Sequence, residues 1–177
     1  RTPRIMQSAT NADMSLEIKF ASALSAPNQA QGLYFEQADG DYLRIGLWSD
    51  GPTTRVIATR YRGVTPMRVM DVPVVGSAGV APLFLRVMRR GDNWTVLFST
   101  DGQNWRTVES TTQPLVVDRV GLYVENSGQN PAAHTAYVDY LANLEAPAPT
   151  SGDLQTMSVS SAMTPLIYNE EITAGQT

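Results

Sequence analysis

PLFLRVMRRGDNWTVLFSTDGQNWRTVES, residues 82–110, is the stretch whose reading decides the fold. Leu83, Leu85 and Val87 alternate with Phe84, Arg86 and Met88 until Arg90-Gly91-Asp92-Asn93 turns the chain. Trp94, Val96 and Phe98 then alternate with Thr95, Leu97 and Ser99, and Asp101-Gly102 turns it again toward Trp105, Thr107 and Glu109. Period-two alternation punctuated by Gly-Asp and Asp-Gly predicts three strands in consecutive antiparallel hairpins. No catalytic motif accompanies them, so function has to be sought on the surfaces that such a sheet presents.

The same pattern extends outward in both directions. Ser15–Phe20 places Leu16, Ile18 and Phe20 opposite Glu17 and Lys19, and Gly32–Gln37 places Leu33 and Phe35 opposite Tyr34 and Glu36. Asp39-Gly40-Asp41 reads as a turn into Tyr42–Trp48, where Leu43, Ile45 and Leu47 face away from Tyr42, Arg44 and Trp48. Thr54–Tyr61 and Met67–Val75 are less regular, and Pro66 and Pro73 put this part of the chain near a sheet edge, because proline donates nothing to a ladder. Val120–Asn126 and Ala136–Leu144 supply two further strands. Many short strands without a helical period predict an all-β fold, a two-sheet antiparallel sandwich or jelly roll. APAPTSGD, residues 146–153, reads as a linker, and 154–177 as an extended tail or the start of a following module.

Composition limits the possible partners. A chain of 177 residues is long enough for one well-buried core. A net charge of −4 and a pI near 4.9 argue against a nucleic-acid backbone as partner. No apolar run approaches the ~18 residues that membrane insertion requires. The absence of cysteine excludes disulfides and thiolate metal sites. The opening at Arg1 reads as that of an excised or processed piece.

GLYFEQADGDYLRIGLW (32–48), LFLRVMRRGDNWTVLFSTDGQNWRTV (83–108), and DRVGLYVENSG (118–128) with HTAYVDYLANL (134–144) together resemble the concanavalin A-like lectin/glucanase superfamily. They most resemble the laminin-G-like sandwich modules appended to bacterial β-xylosidases and other secreted or surface proteins. PRIMQSATNADMSLEIKF (3–20) is similar to the opening of those modules. The resemblance implies a concanavalin A-like sandwich over residues 1–145, lacking its first strand or strands. The tail or a separate fragment would then fill the vacated edge. It also implies an extracellular or cell-surface setting beside neighbouring domains of a larger protein, and a concave sheet as ligand face.

The strand alternation itself selects the candidate ligand residues. Opposite the aliphatic faces lie Tyr34, Glu36, Tyr42, Arg44 and Trp48, with Tyr123 and Glu125 on a second strand. Aromatic rings stack on the apolar faces of pyranoses, while carboxylates and guanidinium groups take the hydroxyls, so the set fits a glycan or polysaccharide. The competing reading is an exposed sheet face that is solubilised or packed under loops. His134, the only histidine, is a minor candidate in a loop before the last strand. Trp94 and Trp105 are both expected in the core.

Two chemical alternatives remain. Glu36 and Glu125 would serve as a glycosidase pair only at about 5–5.5 or 6.5–9.5 Å separation, and no E-x-D-x-x-E-like run is present. Calcium is the one cofactor that the acidic turns admit, with Asp39 and Asp41, or Asp50 with backbone carbonyls, as candidate ligands, although the turn alone also favours Asp-Gly-Asp. The chain is expected to be a non-catalytic carbohydrate-binding or adhesion module. The main rival is a structural or assembly module that contacts protein through its sheet face or by strand addition.

Overall fold

A computed structural model of the chain describes residues 3–37, 40–76, 79–128, 131–145 and the strand 168–174. The described strands are β1 (Arg4–Ser8), β2 (Met14–Phe20), β3 (Gln29–Glu36), β4 (Tyr42–Ser49), β5 (Thr54–Arg62) and β6 (Thr65–Val75), followed by β7 (Leu83–Arg90), β8 (Asn93–Ser99), β9 (Arg106–Thr112), β10 (Arg119–Asn126), β11 (His134–Asn143) and β12 (Tyr168–Ala174). They form two six-stranded sheets, ordered β1-β10-β3-β4-β5-β6 and β12-β11-β2-β7-β8-β9. Every neighbouring pair is antiparallel, and no α-helix occurs among the described residues. The protein is therefore an all-β, two-sheet jelly-roll sandwich. Tail residues 168–174 run beside β11 at one edge of the second sheet.

The hairpins of 82–110 fall where the alternation places them, with Arg90 opposite Asn93 and Val87 opposite Val96. Of the two less regular strands, β6, with Pro66 and Pro73, lies at the margin of its sheet, and β5 is next to it, between β4 and β6.

Burial follows the pleat. Leu33, Phe35, Leu43, Ile45, Leu47, Val120, Leu122 and Val124 face Leu16, Ile18, Phe20, Leu85, Val87, Val96 and Phe98 across the interior. Trp94 is fully buried there, its ring 4.8 Å edge-on from Phe35, and its Nε1 donates to the Gln113 carbonyl at 2.9 Å. Trp105 is not part of this core. It ends the turn that follows Gly102, just before β9 begins, and packs on the outer side of the second sheet. There Arg86 lies 4.0 Å above its ring and Phe84 meets it edge-on at 6.3 Å.

A buried polar seam joins the two sheets at one end. Gln31, with no exposed surface, accepts at Oε1 from Ser22 Oγ (2.8 Å) and from His134 Nε2 (3.2 Å), and donates from Nε2 to the Ser22 carbonyl at 3.0 Å. His134 is thus the first residue of β11 and not part of the preceding loop. Burial holds its pKa down at about 4.

The opposite, outward side of the first sheet depends on a pair of glycines. Gly32 and Gly46 face each other across β3 and β4, and the ring of Tyr123 lies over both. A Cβ on Gly46 would come within 2.5 Å of the Gln31 carbonyl oxygen and 2.6 Å of the Tyr123 hydroxyl. Neither the backbone nor the fully buried ring has room to yield.

Gly46→Ala is expected to destabilise the fold by about 1–3 kcal/mol or more through this overpacking, read as a lower urea midpoint. His134 gives a separate expectation. Between pH ~6.5 and 4 the unfolded chain binds a proton at this residue that the folded chain rejects. Stability should therefore fall as the pH drops through that window, and fall less steeply in His134→Gln. Parallel slopes for the two proteins in pH-resolved denaturation would refute the assignment.

Candidate functional site

On the outer face of the first sheet, four neighbouring strands project their non-core residues together. In register these are Tyr123 and Glu125 from β10, Tyr34 and Glu36 from β3, Tyr42, Arg44 and Trp48 from β4, and Ile57, Thr59 and Tyr61 from β5. Seven of the eight sequence-selected ligand residues therefore share one face. Strand alternation produces this grouping, because a residue and its cross-strand partner point to the same side.

Sharing a face does not make each of them accessible. Tyr34, Glu36 and Tyr123 are 2%, 3% and 1% exposed, so a ligand cannot stack on Tyr34 or Tyr123 or reach the Glu36 carboxylate as expected. Arg4 on β1 covers Tyr34, with its Nη1 donating to the hydroxyl at 2.7 Å. Glu36 lies between Arg4 (3.3 Å) and Arg119, whose Nη2 comes within 2.8 Å of Oε2 without hydrogen-bond alignment. Burial pushes the Tyr34 and Tyr123 hydroxyls above their ordinary pKa, which keeps both neutral.

Tyr42 sits in a ladder of rings, stacked on Tyr34 at 4.5 Å and on Tyr61 at 4.4 Å. Its ring faces are consumed by neighbouring rings, leaving edges toward solvent. His134 lies elsewhere, inside the polar seam at 4% exposure, where it cannot contact a ligand on this face.

What remains open is a depression of about 400 Å³ at the Trp48 end of the face. Arg44, Trp48, Tyr61, Arg68 and Glu125 line it, with Asn28 and Ser127 at one side. Arg44 is its central cation. It rests 5.0 Å from the Tyr123 ring centroid and 4.8 Å from that of Tyr61, and donates from Nη1 to Glu125 Oε2 at 2.6 Å and from Nη2 to the Tyr61 hydroxyl. Burial works against its charge, but Tyr123, Glu125 and Tyr61 together outweigh burial and hold its pKa above the ordinary value. The Arg44 Nε is buried without a hydrogen-bond partner.

Arg68 forms the opposite wall, 5.4 Å from the Trp48 ring centroid, and donates to Asp71 at 2.9 Å. Residues three apart on a regular strand point to opposite faces. Here the register slips between Ala58 and Thr59, so Arg68 pairs with Thr59 and Asp71 with Ile57, and both reach the outer side. Arg68, Tyr61 and Asn28 were not selected from the sequence. Alternation along β5 marks Tyr61, whereas the bulge conceals Arg68.

The two glutamates do not form a catalytic pair. Glu125 pairs with Ala30 at one end of β3 and Glu36 lies at the other, about 20 Å away at ~3.3 Å per residue, beyond either glycosidase spacing. The acidic turn is only partly described. Asp39 lies outside the described residues, and Asp41 accepts from the buried Arg60 guanidinium, which is 3% exposed. No cluster of three or more His, Asp or Glu side chains suited to a metal occurs among the described residues.

No protein-family model matches the chain, and no curated protein matches it. Solved structures do. The GH43 protein BlXynB of Bacillus licheniformis is similar at 17% identity and TM-score 0.57, over 80% of this chain and 32% of that one. A tetrameric galectin from the ball sponge Cinachyrella sp. is similar at 14% identity and TM-score 0.53, over 80% of this chain and 99% of the galectin. The carbohydrate-binding module CBM66 of Bacillus subtilis is similar at 12% identity and TM-score 0.52, over 68% and 74% of the two chains. The chain spans about a third of the length of the GH43 protein. At these identities the likeness establishes a shared β-sandwich architecture with lectin and carbohydrate-binding modules.

Proposed function

We propose that this chain is a non-catalytic carbohydrate-binding module, and that its ligand site is the depression beside Trp48. The observation that carries the reading is a half-buried indole set next to a charge-paired Arg44–Glu125 couple in a concavity on an otherwise well-packed sheet. Indole offers an apolar plane for the C–H face of a pyranose. The ion pair, Tyr61, Asn28 and Ser127 offer donors and acceptors together, as a polyol needs. The volume falls within the usual range for small-ligand sites. That a galectin and a carbohydrate-binding module share the architecture supports the reading. Such a module would act in an extracellular or cell-surface protein, holding the neighbouring domains of a larger chain on a glycan or polysaccharide.

One observation favours the assembly reading as a second possibility. The strand 168–174 pairs with β11 although a long intervening segment separates them in sequence. A sheet edge that accepts a distant extended segment of its own chain has the geometry for strand addition from another.

Glycan-array screening followed by calorimetric titration tests the first reading. Trp48→Ala is expected to weaken the best glycan by about tenfold or more, ~1.4 kcal/mol, with an unchanged circular dichroism spectrum. Equal affinity in the two proteins would place the site elsewhere.

A further inference from the structure

The charges around the depression are arranged in pairs. Arg44 faces Glu125 at 2.6 Å. On the β5–β6 wall Arg68 and Arg55 share Asp71 at 2.9 and 2.6 Å, and Arg55 also lies 3.7 Å from Asp50. Three guanidinium groups are thus matched by three carboxylates, and none of these cations is left to attract an anion. Among the described residues, two further cations on this face, Arg4 and Arg119, flank Glu36 at the opposite end of β3, about 20 Å away at ~3.3 Å per residue.

The geometry of the central pair sharpens this. Glu125 keeps 28% of its side chain exposed, while Arg44 keeps only 12%, so a ligand meets the carboxylate more readily than the guanidinium. A sugar carboxylate or sulfate aimed at Arg44 would come against Glu125 in a partly desolvated setting, where like charges repel more strongly than in water. A sugar hydroxyl meets no such penalty, because it donates to Glu125 and accepts from a neighbouring N–H. Displacing Glu125 would leave the buried Arg44 cation without its partner, and removing one member of such a pair is costly.

We infer that the Trp48 depression selects uncharged saccharides, and that Glu125 is the residue that excludes acidic ones. This inference rests on the carbohydrate-binding reading above and names the ligand class of the same site. Glu125 acts here as a specificity residue: it contacts the ligand and also keeps the Arg44 charge compensated. Asp71 compensates the charges of Arg68 and Arg55 on the facing wall without lining the depression itself.

The experiment compares neutral xylo-, gluco- and galacto-oligosaccharides with oligogalacturonates of equal length, titrated calorimetrically into the chain and its Trp48→Ala, Glu125→Gln and Asp71→Asn variants at low salt. The chain is expected to bind its best neutral oligosaccharide at least tenfold more tightly than any acidic one. Glu125→Gln should narrow or invert that ratio by tenfold or more, with the gain lost as salt is raised. Asp71→Asn, at an exposed pair of the kind that contributes little to stability, should shift the ratio in the same direction by a smaller factor. A Trp48-dependent site that prefers the acidic sugar, or ratios unmoved by both carboxylate variants, would overturn the inference while leaving the carbohydrate site in place. Glycan binding indifferent to Trp48→Ala would overturn the underlying reading instead.

Discussion

The candidate site depends on the approach of one ring to two glycines. Tyr123 lies across the sheet because Gly32 and Gly46 present no Cβ where its ring and hydroxyl pass. Laid flat, the ring provides a floor 5.0 Å beneath the Arg44 guanidinium, and Arg44 in turn holds Glu125 and the Tyr61 hydroxyl. Any side chain larger than hydrogen at either glycine would lift the ring and with it the cation above. Backbone spacing in β3 and β4, the polarity of the face and the shape of the depression therefore have a common origin.

The tyrosines show why the number of aromatics on a strand face is a poor measure of stacking surface. Tyr34, Tyr42 and Tyr61 stack on one another at 4.5 and 4.4 Å, and Arg4 and Arg44 lie against the outer rings. Such ladders stabilise a sheet through cross-strand contacts worth roughly 0.2–1 kcal/mol each. The faces that make those contacts are unavailable to a ligand. Trp48 differs because it lies toward the end of β4, where the ladder has stopped and its neighbours in register are the small Ala30 and the long Arg55.

Much of this was legible in the sequence because it depends on period two. The hairpins of 82–110, the core residues from Leu16 to Val124, and the grouping of Tyr34, Arg44, Trp48 and Glu125 on one face all follow from alternation. What alternation cannot convey is depth. Tyr34 and Glu36 are covered by Arg4, which comes from β1, far away in sequence and adjacent only through β10. Pro131 and two alanines before His134 read as a loop, yet tertiary contact with Gln31 draws the histidine into β11. Trp105 is expected in the core because the resemblance implies a packing aromatic at that place; here it lies between the turn and β9, on the outer side with Arg86 and Phe84. Arg68 is hidden from such a reading because a bulge breaks the alternation that marks the other face residues.

That bulge lies in a strand with a further property. β6 is the outermost strand of its sheet and carries Pro66 and Pro73. A proline is tolerated in such a strand where its missing N–H would have pointed away from the partner, which is the free side. The free margin of β6 thus lacks donors at two positions and is kinked between them, so it makes a poor template for pairing with another chain. A binding face flanked by such a margin can be crowded against a polymeric surface at high local concentration without the sandwiches zipping together edge to edge.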